Sequence, residues 1–246
     1  MKNNKILVKD LGVLSYDYSW EHQKVIFDNI IDQKIKNRTL KKKNKTDNYL
    51  LIVEHNPVYT IGKSGDISNL LLSEKQLELK NIDFKKINRG GDITFHGLGQ
   101  IVGYPIFDLD NFFTDISQFL RTLEEVIILT ISFFGLKGYR IDGETGVWVK
   151  DTKNSPKKIC AFGIKASRWV TMHGFALNVN TDLKYFDYIV PCGISDKGVT
   201  SIEDILKQKI TTKKVKEKLY ENFAKCFDAK LINLIWDNRT FIQLWN

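Results

Sequence analysis

The segment RGGDITFHGLGQIVGYPIFDL, Arg89 to Leu109, begins with an arginine and paired glycines, continues through the polar DITFH, adds Gly97 and Gly99, and closes on an apolar run. Paired glycines take positive φ or let the backbone approach a ligand closely, while Ile93, Thr94 and Phe95 favour extended chain directly after the turn. The order predicts a loop that feeds a strand, with Arg89 and His96 flanking a cavity. On spacing alone, an ordinary Gly-rich hairpin with a surface arginine fits equally well.

Upstream, DFKKINRG reads as a strand leading into this segment, and Ser73 to Lys80 as a helix. NYLLIVE, Asn48 to Glu54, is apolar enough for a buried strand; HNPVYTIG, His55 to Gly62, follows as a loop because its proline interrupts regular pairing. His55, beside Asn-Pro, reads as a turn residue. Ile6 to Val8 predicts a short strand, and from about Asp17 the residues Trp20, Phe27, Ile30, Ile31 and Ile35 recur at helical spacing. The basic stretch from Lys34 to Asn48 is a solvated loop or a helix extension.

Downstream, Asp115 to Phe134 carries Ile116, Phe119, Leu120, Leu123, Ile127 and Ile131 at three- and four-residue spacing, with Gly135 as a C-terminal stop. GETGVWV (Gly143 to Val149) and Lys158 to Ile164 read as strands joined by the polar turn KDTKNSPK, and Trp169 to Val179 as a further strand. Ser201-Ile-Glu-Asp opens a short helix like a capping box, and Val215, Leu219, Phe223 and Phe227 mark another. Cys226 lies on that apolar face as a small buried hydrophobe.

A chain of 246 residues, 43% hydrophobic, can bury a full core, and a single domain over 1–246 is expected. No run approaches the roughly 18 apolar residues of a membrane span, and MKNNKILVKDLG has neither a signal-peptide core nor transit-peptide character, which predicts a cytoplasmic protein without a membrane partner. Cys160, Cys192 and Cys226 lack metal-site spacing, so each is expected as a free thiol. A formal net charge of +8 steers acidic partners toward the surface. Without an aromatic–basic RNA motif, a nucleic-acid partner is not expected.

Cys192, in Val190-Pro-Cys-Gly-Ile194, is bracketed by a rigid and a permissive residue in a loop beyond the strand near Asn178. A thiol attacks only as thiolate, which needs a nearby cation, a base or a helix N-terminus. Lys158, His173 and His96 are all candidates for that role.

Taken together, RGGDITFHGLGQIVGYPIFDL, KICAFGIKASRWVTMHGFALNVN, the PCGI at Pro191 to Ile194, EHNPVYTIG and GETGVWV resemble, in order, the signature of the octanoyltransferases of lipoate biosynthesis; the likeness covers roughly Leu50 to Ile194. It implies a biotin/lipoate protein ligase-like α+β domain with a mixed, largely antiparallel sheet flanked by helices. It also implies Cys192 as the acyl-thioester nucleophile and Lys158, by its register in KICAFG, as its catalytic assistant. The implied acyl pocket comprises Arg89, Gly90, Gly91, Asp92, Ile93, Thr94, Phe95 and His96, then Ala161, Phe162 and Gly163, then Gly174, Phe175 and Ala176. Phe175 stands where the family often has leucine. The implied reaction moves octanoyl from octanoyl-acyl carrier protein to a lysine of apo lipoyl domains, those of 2-oxoacid dehydrogenases and the glycine cleavage H protein, with no metal or nucleotide cofactor. An ATP-dependent lipoate or biotin protein ligase of the same fold is the nearest alternative.

Overall fold

A computed structural model describes residues 2–190 and 198–234. In chain order, β1 (Lys5–Leu14) leads into α1 (Tyr16–Lys36), and β2 (Asn48–His55) is followed at once by β3 (Val58–Ile61). Then come α2 (Glu74–Leu79), β4 (Asp83–Lys86), β5 (Ile93–His96), β6 (Gln100–Ile106) and the long α3 (Ile116–Ser132). The second half supplies β7 (Tyr139–Ile141), β8 (Glu144–Lys150), β9 (Pro156–Ser167) and β10 (Val170–Asn178), and then β11 (Gly198–Val199), α4 (Ile202–Leu206), α5 (Thr212–Cys226) and β12 (Lys230–Asn233).

The main sheet runs β12-β1-β2-β6-β10-β9-β8-β7, with β11 added beside β9. β1 is parallel to both β12 and β2, β11 is parallel to β9, and the pairs from β2 to β7 are antiparallel. A small second sheet runs β4-β3-β5. This is the mixed, largely antiparallel α+β architecture that the motifs implied.

Period-2 alternation divides β9 and β10 between two environments. Cys160, Phe175 and Leu177 join a core with α3 and α5, where Phe107, Phe223 and Phe227 meet edge to face or stacked. Val170, Met172 and Ala176 face the other way, into the core beneath α1 with Ile26, Phe27 and Ile30. A third cluster ties the small sheet to the segment before residue 191: Phe95 stacks on Tyr185 with ring centroids 4.5 Å apart and planes 4° from parallel.

Two expectations change. HNPVYTIG is not wholly loop, because Val58–Ile61 forms the centre of the small sheet, paired on both edges. Pro57 stands just outside β3, where its missing N–H costs no ladder bond, and its carbonyl accepts from Asp83 N. The strand expected at Ile6 to Val8 runs on to Leu14 through an irregularity between Asp10 and Val13. The basic stretch continues α1 only to Lys36; Lys34 pairs with Asp108 and Asp110, and Lys41, Lys42 and Lys43 are exposed. Among the described residues, no helix is long and apolar enough to cross a membrane.

Candidate active site

Ala161 and Gly163 on β9 lie opposite Ala176 and Gly174 on β10, so four small residues share one face of the sheet. Over them runs the Gly-rich segment, and the gap is narrow: a Cβ on Gly163 would stand 2.8 Å from Arg89 Cδ and 2.9 Å from the Gly90 carbonyl. A Cβ on Gly174 would collide with the Gly103 carbonyl of β6. The result is a slot with about 510 Å³ of empty space, including its open mouth, lined by Arg89, Gly91, Asp92, Ile93, Thr94 and His96 above and by Ala161 to Gly163 and Gly174 to Ala176 below.

One end of the slot is polar and closed. Arg89 Nη2 donates to the carbonyl and hydroxyl of Thr60 at 2.7 and 3.0 Å, and Nη1 donates to Gly90 O at 3.0 Å. The hydroxyl of Thr60 faces His96 Nε2 at 3.3 Å, and His96 Nδ1 faces Gln100 Oε1 at 2.9 Å. Gln100 spends its amide hydrogens on Phe95 O and Asn178 Oδ1, so its oxygen is an acceptor and places the His96 proton on Nδ1. His55 donates from Nδ1 to Leu14 O at 3.0 Å, leaving Nε2 to accept the Tyr104 hydroxyl at 2.7 Å. His173 Nε2 stands 2.9 Å from Asn88 Oδ1, and its backbone takes a left-handed φ of 62°.

All three imidazoles are held neutral. Burial, the largest cause in each case, pushes His55 down to about 4 and His173 to about 3, and holds His96 well below the ordinary histidine range. Burial likewise pushes the Tyr16 and Tyr104 hydroxyls above the ordinary tyrosine range. This end of the slot presents uncharged rings and one guanidinium. It sets uncharged imidazoles and one guanidinium at the end of an otherwise largely apolar slot.

Twelve of the fourteen pocket residues named from sequence line this cavity. Gly90 sits behind it, its N–H donating to Ile164 O, and Phe95 points away into the cluster with Tyr59 and Tyr185. Tyr16, Val102, Tyr104 and His173 also line it. Val102 and Tyr104 had a signal, the alternation in QIVGYPI, which puts both on one face; Tyr16, the first residue of α1, had none. Asp92 turns mainly to structure, accepting from Ile93 N, Asp66 N and Asn69 Nδ2.

Lys158 lies three residues along β9 from Ala161, with its Nζ 4.7 Å from the centre of the Trp148 ring. Cys192 lies outside the described residues. The chain on either side is anchored: Val190 N donates to Asn69 O at 2.8 Å, and β11 pairs Gly198 with Lys157 and Val199 with Lys158. β11 therefore lies in the main sheet alongside Lys158. Cys160 is wholly buried, its thiol pushed well above the ordinary range by burial, and Cys226 is partly buried against the α3–α5 core, its thiol also raised.

Residues 15–224 match the lipoyl protein ligase A/B catalytic domain, and the chain belongs to that family. Within it, an octanoyltransferase of Flavobacterium psychrophilum is 56% identical over 94% of this chain and 100% of its own length, and one of Christiangramia forsetii is 58% identical over 93% and 98%. A bi-partite lipoate protein ligase of Thermoplasma acidophilum shares the fold, with a TM-score of 0.67 at 15% identity over 99% of this chain and 92% of that one.

Proposed function

We infer that the protein is an octanoyltransferase acting as one catalytic domain, an acyltransferase of lipoate biosynthesis. The single observation that carries this reading is the slot of small residues beneath the Gly-rich segment, ended by neutral imidazoles and the Arg89 guanidinium. An eight-carbon acyl group suits it: at about 0.8 kcal/mol per buried methylene, the tail contributes on the order of 5 kcal/mol.

Cys192 is the nucleophile and Lys158 its partner. The Cys192 thiolate attacks the thioester carbonyl of octanoyl-acyl carrier protein and expels the carrier's thiolate. A lysine ε-amine of an apo lipoyl domain then attacks the acyl-enzyme, loses a proton, and expels Cys192 as leaving group. The Lys158 ammonium favours the Cys192 thiolate and gives a proton to the departing carrier thiolate; the amine so formed takes the proton from the attacking lysine, and the regenerated ammonium faces the departing Cys192 thiolate. The neutral histidines hold the pocket's shape.

The test is intact mass after incubation with octanoyl-acyl carrier protein: addition of one octanoyl group supports the reading. Adenylate formation from free octanoate and ATP, with no acyl-enzyme, would indicate a ligase of the same fold.

A further inference from the structure

Lys158 ought to point into the hydrophobic core. Alternation along β9 sends Cys160 to the α3–α5 side and Ala161 and Gly163 to the slot, which by parity would send Lys158 to the core with Cys160. The register with β8 breaks here: Val147 pairs with Cys160, but the next residue, Trp148, pairs with Lys158. Ile159 is thus an extra residue, and it packs into the same core as Cys160. A bulge of this kind bends the strand and re-aims the side chains beyond it. After two consecutive core-facing residues, Lys158 emerges on the slot face.

Strand β8 is built to receive it. Val147 and Val149 face the α3–α5 core, so Gly146 and Trp148 face the other way, toward Lys158. Trp148 is 1% exposed and offers its ring as a shelf beneath the ammonium. Gly146 supplies the gap for the stem: with φ at +148°, a Cβ there would stand 3.0 Å from Lys158 Cε and 3.4 Å from Cδ. The backbone at this point is fixed from α3, since Gly146 N donates to Glu124 Oε1 at 3.0 Å. Glu124 is fully buried, and Arg121 and Arg140 pair with its Oε2 at 2.7 and 3.1 Å. The adjacent Lys157 turns to the Gly198 side, within the field of Asp204 from α4.

We propose that the Ile159 bulge, the Trp148 ring and the gap at Gly146 form a positioning device that holds the Lys158 ammonium over Trp148, away from the α3–α5 core, making Trp148 and Gly146 positioning residues for the acyl transfer. The idea rests on the assignment of Lys158 made above, so the test separates the two. The readout is the rate of iodoacetamide alkylation at Cys192 as a function of pH, followed by peptide mass in the full-length protein. Such a profile reports thiolate formation, and a loss of bulk stability alone would not move it. Lys158→Ala should move the profile to higher pH and lower the neutral-pH rate by about tenfold or more. Trp148→Leu should move it in the same direction, Trp148→Phe should stay near the parent, and Trp148→Leu added to Lys158→Ala should produce no further shift. Gly146→Ala, which crowds the lysine stem, repeats the test should Trp148→Leu not fold. A parent-like profile for Trp148→Leu or Gly146→Ala, beside a shifted Lys158→Ala, would overturn the positioning role alone. A parent-like Lys158→Ala would overturn the assignment of the lysine, and the positioning role with it.

Discussion

The two faces of β9 and β10 are made from the same residues in alternation, yet they do opposite things. Toward α3 and α5 they present Cys160, Phe162, Phe175 and Leu177, which pack with the aromatic side chains of the helices, the two phenylalanines also reaching the slot wall. Toward the Gly-rich segment they present Ala161, Gly163, Gly174 and Ala176, and the space stays open. One face holds the protein together, and the other is kept deliberately underfilled. At the bulge around Ile159 the alternation breaks, and Lys158 crosses from the first side to the second.

The largest expected effect belongs to the proposed nucleophile. Cys192→Ala should abolish octanoyl labelling in an intact-mass measurement, whereas Cys160→Ala and Cys226→Ala, which alter only the filled face, should keep it. Labelling that survives the loss of Cys192 would remove the covalent mechanism. Next in size, Lys158→Ala should slow transfer by about two to four orders of magnitude, the range for a positioned acid or base. Lys157→Ala should change the rate little, and equal effects would mean that the register around the bulge had been misassigned.

Neighbouring residues on β10 test the comparison directly. Ala176→Leu fills the slot and should lower the ratio of octanoyl to butanoyl transfer by about tenfold or more, since pocket methylenes discriminate at that scale. Leu177→Ala, on the other face, should leave that ratio unchanged and cost about 2–5 kcal/mol in a denaturant titration. A change in chain preference from Leu177→Ala would show that the two faces are not independent.

Much of this arrangement is legible in the chain. Helical spacing located α3 and α5, and the Gly-rich segment located the roof of the slot. What stayed hidden is of two kinds. Pairings distant in sequence left no local signal: β12, for example, joins β1 through Lys5 and Lys230. The bulge was hidden for a different reason, because KKICAFG carries no local mark of an irregularity until β8 supplies the register that makes Ile159 the extra residue. Phe95 was misplaced in the slot because a motif names a segment, whereas the pleat decides which of its side chains turn inward.

The polar end of the slot has a pH signature. His55 and His173 fall from an ordinary 6.5 to about 4 and about 3 on burial, so below pH 6.5 the unfolded chain binds protons that the folded chain refuses. Their contribution to stability is complete above 6.5 and is lost as pH falls toward 4 and then 3. Urea midpoints should therefore drop across that window, and His173→Gln should flatten the slope. An unchanged slope would mean that the imidazole is already charged in the folded protein.

The smallest effect concerns the surface. Lys41, Lys42, Lys43 and Lys45 border a shallow depression with Arg168 and the exposed Trp169, and the formal charge of the chain is +8. Exposed charges act on encounter, and salt screens them beyond about 8 Å at 0.15 M. If they steer an acidic carrier toward the enzyme, the second-order rate with octanoyl-acyl carrier protein should fall between low and physiological salt. The rate with a small uncharged octanoyl thioester should hold nearly constant, because nothing in its approach depends on long-range attraction. Reversing the charge of Lys41, Lys42 and Lys43 together should lower the carrier rate at low salt and flatten its salt curve, leaving the small thioester as before. Parallel curves for the two donors would place the whole effect inside the slot and leave the basic surface without a part in this reaction.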